Sequence, residues 1–150
     1  MSTIHFHQTT TAQPEQFVAA LTDFGQGRSK LFPNSADEYL RVHGQRAQQA
    51  DVTEGSSGIW ERLQYDWSDP NRVVMRTTDS NVWGRNSGHT YTFTPRPDGR
   101  TDLDVEIVRE GKNLKGRLLE FVVGTVGRGV LVGGLKKTLQ AVEARSSVGA

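Results

Sequence analysis

The chain contains no cysteine among its 150 residues. Without cysteine, the protein cannot form a disulfide, a thiol nucleophile or a thiolate metal site. An excess of one charge is also missing, since 18 Lys and Arg against 17 Asp and Glu give a net charge of +1. No basic stripe therefore indicates nucleic-acid binding, and we expect no nucleic-acid partner, no metal and no cofactor.

We also expect no secretory signal at the start of the sequence and no segment that crosses a membrane. Residues 1–6 have neither the basic nor the apolar region of a secretory signal. The most apolar stretch, 121–135, contains Arg128 and is shorter than the roughly 20 residues that cross a bilayer. We expect one domain over 1–150, without stable membrane insertion, in a cytoplasmic monomer or homodimer.

Seven segments have the pattern of β-strands. They are rich in β-branched and aromatic residues, and turn signals such as Asp98-Gly99 separate them. The predicted strands span residues 4–11, 38–44, 46–54, 59–67, 73–79, 89–94 and 101–109. Their spacing of about ten to twelve residues predicts an antiparallel meander.

Helical patterns occur after the first strand and at the end of the chain. Pro14 opens a short helix that Gly25 ends, and a second short helix is predicted at 28–32. One long helix follows from about 113 to 144. It is apolar on all sides over 118–135, which predicts burial there. Its many glycines predict close approach to the sheet, a kink, or open space above the concave face.

This order of strand, two short helices, six strands and long helix resembles the helix-grip fold of the START-like (SRPBCC) superfamily. The resemblance covers essentially the whole chain and rests on residues 14–17 (PEQF), 58–62 (GIWER) and 135–139 (LKKTL). Residues 51–55 (DVTEG) and 111–116 (GKNLKG) are similar to an uncharacterised bacterial polyketide cyclase/dehydrase-like subgroup. The resemblance implies an α+β fold, in which a curved seven-stranded antiparallel sheet has a long C-terminal helix over its concave face.

A curved sheet closed by one helix encloses a cavity, which predicts a small hydrophobic ligand. Strand alternation indicates the side chains that face this cavity, because successive residues point to opposite faces. The predicted ligand-binding candidates are Glu61, Leu63, Tyr65, Met75, Asp79, Trp83, His89, Tyr91, Phe93, Val105 and Arg109.

Four of these candidates are polar side chains on predicted inner faces: Glu61, Asp79, His89 and Arg109. A buried carboxylate is costly unless it is paired, so either acid is expected to contact Arg109, His89 or a tyrosine. These groups either hold the polar end of an apolar ligand or form a structural pair. Trp83 lies in a predicted loop, where it is either a lid over the cavity or a packing residue.

Other patterns give weaker signals. His5-x-His7 could ligate zinc, but no third ligand is clustered with it. The glycines at 127–134 lack the lysine that follows the last glycine of a phosphate-binding loop. The basic cluster Lys112, Lys115 and Arg117 is either a solvated surface or a contact for an anionic ligand or membrane.

Three functions fit these features. The first is a binding protein that holds or carries a hydrophobic or aromatic metabolite or lipid. The second is a cofactor-free polyketide cyclase or dehydratase, with His89 or a carboxylate as general acid/base. The third is a protein-interaction module with a filled cavity. The catalytic residues of the second alternative are not assigned.

Overall fold

The computed structural model describes residues 1–148, which form one antiparallel sheet beside a long C-terminal helix. The strands are β1 (Ser2–Thr10), β2 (Arg41–Gln45), β3 (Gln49–Ser56), β4 (Ile59–Asp66), β5 (Arg72–Ser80), β6 (Gly88–Pro95) and β7 (Thr101–Arg109). Their order in the sheet is β1-β7-β6-β5-β4-β3-β2. The predicted seven-stranded meander is confirmed, and β7 has the predicted bounds.

The helices follow the predicted order. Helix α1 (Pro14–Leu21) is followed by a single 3₁₀ turn, Arg28–Lys30, where a second short helix was expected. The long helix consists of α2 (Leu114–Val122), a π turn (Val123–Gly127) and α3 (Arg128–Val148). The side chain of Asn113 caps α2 by accepting a hydrogen bond of 2.8 Å from the Gly116 amide.

The core lies on the inner face of the sheet, against α1 and the second half of α3. Leu135, Leu139 and Val142 of α3 are buried there. The Thr138 hydroxyl donates a hydrogen bond of 2.6 Å to the carbonyl of Leu31. Because each buried side chain of this size stabilises the fold by about 1.5–3 kcal/mol, these contacts hold the end of the helix firmly.

The middle of the long helix is exposed, so the prediction that it is buried over 118–135 is wrong. Leu118 and Phe121 are 65% and 67% exposed. When a helix is apolar on all sides, its sequence does not show which side packs against the core. In this protein only one side does. Gly116 approaches another backbone closely, but in the loop after β5 and not in the sheet, since a Cβ there would lie 2.1 Å from the Val82 carbonyl oxygen. A Cβ at Gly133 would meet nothing within 4 Å.

The same helix has the composition of a membrane segment. Leu114–Arg145 includes an apolar stretch with a mean hydropathy of 1.6, of which only 6% is buried. By length and composition this helix could cross a bilayer, although the sequence was expected not to insert. Its small buried share also distinguishes it from the core helix of a globular domain.

Candidate functional site

A polar cluster lies on the inner face where four central strands run side by side. Glu61 comes from β4, Thr77 from β5, His89 from β6 and Arg109 from β7. Alternation places each on the same face as apolar neighbours, because His89 is opposite Ile107 and Thr77 is opposite Leu63. The cluster is therefore part of the inner surface of the sheet.

Arg109 is the centre of the cluster. Its Nη1 donates to Glu61 Oε2 at 2.7 Å, and its Nη2 donates to Glu61 Oε1 at 3.3 Å. The same Nη2 contacts His89 Nε2 at 2.7 Å. The guanidinium also lies over the Trp83 ring, 4.9 Å from its centroid. This arrangement fixes the guanidinium by charge, hydrogen bonds and a cation–π contact.

Glu61 is held in its ionised form although it is buried. Burial opposes ionisation, but the charge of Arg109, the nearby His89 and hydrogen bonds from Arg109 and Thr77 together lower the pKa of Glu61. The Thr77 hydroxyl donates one of these hydrogen bonds, to Oε2. An ionised carboxylate with these partners is a poor proton donor at neutral pH.

His89 is held neutral in one tautomer. Burial, and then the charge of Arg109, lower its pKa to about 4. Because a guanidinium has donors only, the His89 Nε2 must accept the hydrogen bond from Arg109. The ring proton is therefore on Nδ1, and this buried atom has no hydrogen-bond partner among the described residues. His89 thus presents an unused N–H donor.

Tyr91 lies two residues from His89 on the same face of β6. Both residues fall between buried and exposed, although they lie in an inner row with buried Met75, Phe93 and Val105. The Tyr91 ring packs 5.7 Å from that of Phe17, and burial raises its pKa to about 12. These two inner-facing polar residues retain some exposure, although the Nδ1 atom of His89 itself is buried.

A second polar cluster lies beside the first and was not predicted from the sequence. Arg28 is 4% exposed, and its Nε donates to Glu54 Oε1 at 2.8 Å. Ser35 and Tyr65 donate their hydroxyl protons to the same carboxylate. The guanidinium lies between the rings of Phe24 and Phe32, 4.8 Å from each. Every charged group here is satisfied, which is the signature of a structural pair.

The two carboxylates are directly opposite each other. The hairpin between β3 and β4 turns on Ser57 and Gly58, which both have positive φ, at 53° and 81°. This is the backbone of a two-residue type I′ turn. It pairs Glu54 with Glu61 across the ladder. The predicted strand 46–54 ends at Glu54, but no inward face was predicted for that strand; the Ser57-Gly58 pair was the signal that could have fixed its register against β4.

Most of the predicted apolar candidates face the interior. Leu63, Tyr65, Met75, Phe93 and Val105 are all buried in the core. Whether they contact a ligand stays a prediction. Trp83 is also buried, at 7% exposure, and stacks on Arg109, which favours packing over a mobile lid.

The placement of Asp79 on the inner face is wrong. A β-bulge shifts the register between Arg62 and Leu63, so that Asp79 is opposite Arg62 and Thr77 is opposite Leu63. The extra residue reverses the alternation beyond it. Asp79 is 61% exposed and lies 3.6 Å from Lys112 Nζ. Ser80 takes the inner position instead and is fully buried.

Two open concavities lie on the surface of the described residues. One, of about 690 Å³, includes Arg46 and Arg76 beside β2 to β5. The other, of about 830 Å³, lies between the start of β1 and α2. Neither is lined by Glu61, His89 or Arg109. The enclosed cavity expected between sheet and helix is not one of these two.

The described residues do not assemble a metal site. Nowhere in 1–148 do three His, Asp or Glu side chains come together in a ligating arrangement. His7 instead lies 3.5 Å from Asp102 on the neighbouring strand, and His5 is exposed. The His-x-His pattern on β1 therefore belongs to an exposed strand face.

A seven-stranded meander with a long C-terminal helix and a polar cluster on its inner face defines a START-like helix-grip protein. The chain belongs to the family described as "Polyketide cyclase / dehydrase and lipid transport", whose sequence model matches residues 1–147. No curated protein matches the chain.

Solved structures agree on the fold. A START superfamily protein from Mycobacterium smegmatis is 13% identical, with a TM-score of 0.71 and full coverage of both chains. The Zhui aromatase/cyclase from Streptomyces sp. R1128 is 16% identical, with a TM-score of 0.72 over 96% of this chain and 94% of that one. A norcoclaurine synthase from Thalictrum flavum is 12% identical, with a TM-score of 0.65 over 94% and 92% of the two chains. At these identities the likeness concerns the fold alone.

Proposed function

We propose that this protein binds a small hydrophobic or aromatic molecule against the inner face of β4 to β7. The observation that carries the proposal is the unpartnered Nδ1–H of His89. A buried N–H without a partner costs about 1–3 kcal/mol, so its retention is most simply explained by an acceptor that the ligand brings. The family and the aromatase/cyclase neighbour support a ligand of this class.

The ligand would present a hydrogen-bond acceptor, such as a carbonyl oxygen, to His89. Arg109 occupies the other ring nitrogen, so His89 cannot accept a proton there without losing that contact. Tyr91 is two residues away on the same face, and its hydroxyl makes no hydrogen bond among the described residues. The pair could hold one polar end of an otherwise apolar molecule.

A cyclase or dehydratase activity has less support from this geometry. General acid/base catalysis needs a group whose pKa lies near the working pH. The pKa of His89 is lowered to about 4, and Glu61 is fixed in its ionised form by Arg109. Both groups are therefore suited to positioning a molecule rather than to exchanging protons with it.

An interaction module with a filled interior is the other candidate. Phe17 of α1 packs on the rings of Tyr91 and Phe93, at 5.7 and 5.4 Å between centroids. These contacts occupy part of the inner face, which is the specific observation in its favour. A protein that never retains a small molecule would fit this alternative.

The first test is native mass spectrometry of the freshly purified protein, repeated after denaturation. We expect a co-purifying compound that leaves on denaturation. The matched pair 9-fluorenone and fluorene, which differ only in a carbonyl, then tests His89 directly. One hydrogen bond of about 1 kcal/mol predicts about fivefold tighter binding of the ketone.

Variants of His89 show whether its N–H donor, and not only the shape of its side chain, determines the preference for the ketone. His89→Phe should abolish the preference for the ketone, while His89→Gln should keep it, because its amide can accept from Arg109 and still donate. His5→Phe is the matched control, since His5 is exposed on β1. Equal binding of both compounds by the unsubstituted protein would contradict the assignment of His89.

A further inference from the structure

One face of the long helix carries a row of exposed apolar side chains, here called the outer apolar row. Its members are Leu114, Leu118, Phe121, Val122, Val126 and Val130, which are between 44% and 86% exposed. Spacings of three and four residues place them on one side of a helix. The π turn at Val123–Gly127 contains more residues per turn, which keeps Val126 and Val130 in line with the first half of the row.

The fold does not explain this row. The helix attaches to the domain by its other side, through Gly116 near its start and Leu135, Leu139 and Val142 near its end. Soluble domains rarely expose a contiguous apolar patch of this length, and such patches mark interaction surfaces. Six large side chains kept in water therefore indicate a partner that the row contacts.

The positive charge of the long helix indicates what kind of partner the outer apolar row contacts. Lys115, Arg117, Arg128, Lys136 and Lys137 all lie on this helix and are exposed. None forms an ion pair with another residue of the described chain.

Acidic groups hardly offset these cations. Glu120 is the one acid between residues 112 and 142. Its carboxylate is paired with the N-terminal amine at 3.0 Å and accepts from the Gly111 amide. Glu110, just before the helix, accepts a hydrogen bond from Asn86. The apolar row is thus flanked by unpaired positive charge.

We propose that this face of the helix binds the surface of a bilayer that contains anionic lipids. A helix with an apolar row and flanking basic residues lies in the interface, with its apolar side chains at the acyl boundary and its cations at the headgroups. Both ends are attached to the domain, through the close packing of Gly116 and the Thr138 hydrogen bond to Leu31. The helix therefore lies along the bilayer surface and does not cross it.

A second copy of the chain is a poorer partner for the same face. Two copies that joined their outer apolar rows would bring two sets of unpaired cations together, with no acidic set opposite. An anionic bilayer supplies both the apolar layer and the opposite charge. The same chemistry favours a lipid surface over a neutral apolar peptide.

The test is flotation of the full-length protein with phosphatidylcholine vesicles containing about a quarter phosphatidylglycerol, compared with vesicles of phosphatidylcholine alone. We expect the protein to float with the anionic vesicles and to be released by high salt. The variant Leu118→Gln/Phe121→Gln should lose at least about 100-fold in partitioning, because two large side chains no longer enter the interface. Val42→Gln, at an exposed apolar residue of β2, is the matched control.

Charge is tested in the same way. Arg117→Gln/Arg128→Gln should weaken binding to anionic vesicles by about 25-fold, at about fivefold for each charge. Arg72→Gln/Arg100→Gln removes two exposed cations elsewhere and should change nothing. Thermal unfolding checks that each variant is folded.

Three results would overturn the proposal. They are failure of the parent protein to float with anionic vesicles, equal flotation of Leu118→Gln/Phe121→Gln, or a dimer in light scattering that this variant dissociates while vesicles are not bound. These outcomes do not depend on the ligand of the inner face.

Discussion

Removal of the Arg109 charge is the perturbation for which the structure gives the clearest expectation. In Arg109→Met an unbranched apolar side chain replaces the stem of arginine but the guanidinium is lost, which leaves Glu61 buried without its cation. The two side chains are 13% and 11% exposed in the parent, so water can replace little of the lost contact. Loss of one partner from a buried pair costs about 3–5 kcal/mol.

The magnitude can be measured in urea. A loss of about 3–5 kcal/mol is a large part of the stability of a domain this size, and corresponds to a fall of about 10 °C or more in Tm. Arg62→Met is the matched control, because Arg62 forms an equally short two-point pair with Asp51, at 2.9 and 2.8 Å, on the exposed face of β4. An exposed pair contributes little, so the control should unfold nearly like the parent.

The pH dependence of the same variant gives a second, independent result. In the parent, the lowered pKa of Glu61 contributes stability above its unfolded pKa, and this is lost as pH falls through the folded value. In Arg109→Met, burial dominates and raises the folded pKa of Glu61 above the unfolded value. The variant should then lose stability as pH rises through that raised value, and Glu61→Gln in the same background should remove the effect. If Arg109→Met unfolded like Arg62→Met at every pH, the buried-pair reasoning would be wrong.

Two further predictions concern groups near this site and the helix. The folded pKa of His89 is about 4 and its ordinary value is 6.5, so stability should fall by about 3 kcal/mol between pH 6.5 and 4, and His89→Phe should remove this loss while His5→Phe retains it. Gly116→Ala should destabilise the protein, because its Cβ would lie 2.1 Å from the Val82 carbonyl oxygen, whereas Gly133→Ala, with open space, should stabilise it by up to about 1 kcal/mol in urea. The same sign for both glycine variants would contradict this account of the helix.

Alternation predicted the sheet well because one face is buried and the other is not. Leu63, Tyr65 and Val105 point inward as the period of two requires. The inward or outward prediction failed at Asp79 because a β-bulge adds one residue to β5, and nothing in the amino-acid sequence indicates where this bulge lies. From that point the face reverses, so a single insertion moved one predicted site residue to the surface and brought Ser80 inside.

Other features depend on contacts between distant segments. Arg28 lies in a 3₁₀ turn too short to have a period, and its burial becomes visible only when β3 brings Glu54 to it. The long helix was predicted in extent but not in exposure. A helix that is apolar on all sides can be buried on all sides, or it can pack on the core with one side and contact another apolar partner with the other. The sequence does not distinguish these two cases, whereas the packing of α3 against the core does.

The difference between the two arginine–carboxylate clusters supports the proposed ligand-binding role of one of them. Both lie inside the sheet, and Glu54 and Glu61 are opposite each other in the ladder. A buried ion pair seldom improves stability over apolar residues of the same volume, so neither cluster is explained by stability alone. The Arg28 cluster is complete, since every buried polar side-chain atom in it has a partner within the described chain. The Arg109 cluster instead includes a His89 N–H that has no acceptor among the described residues. In the proposed function, a bound molecule would supply that acceptor.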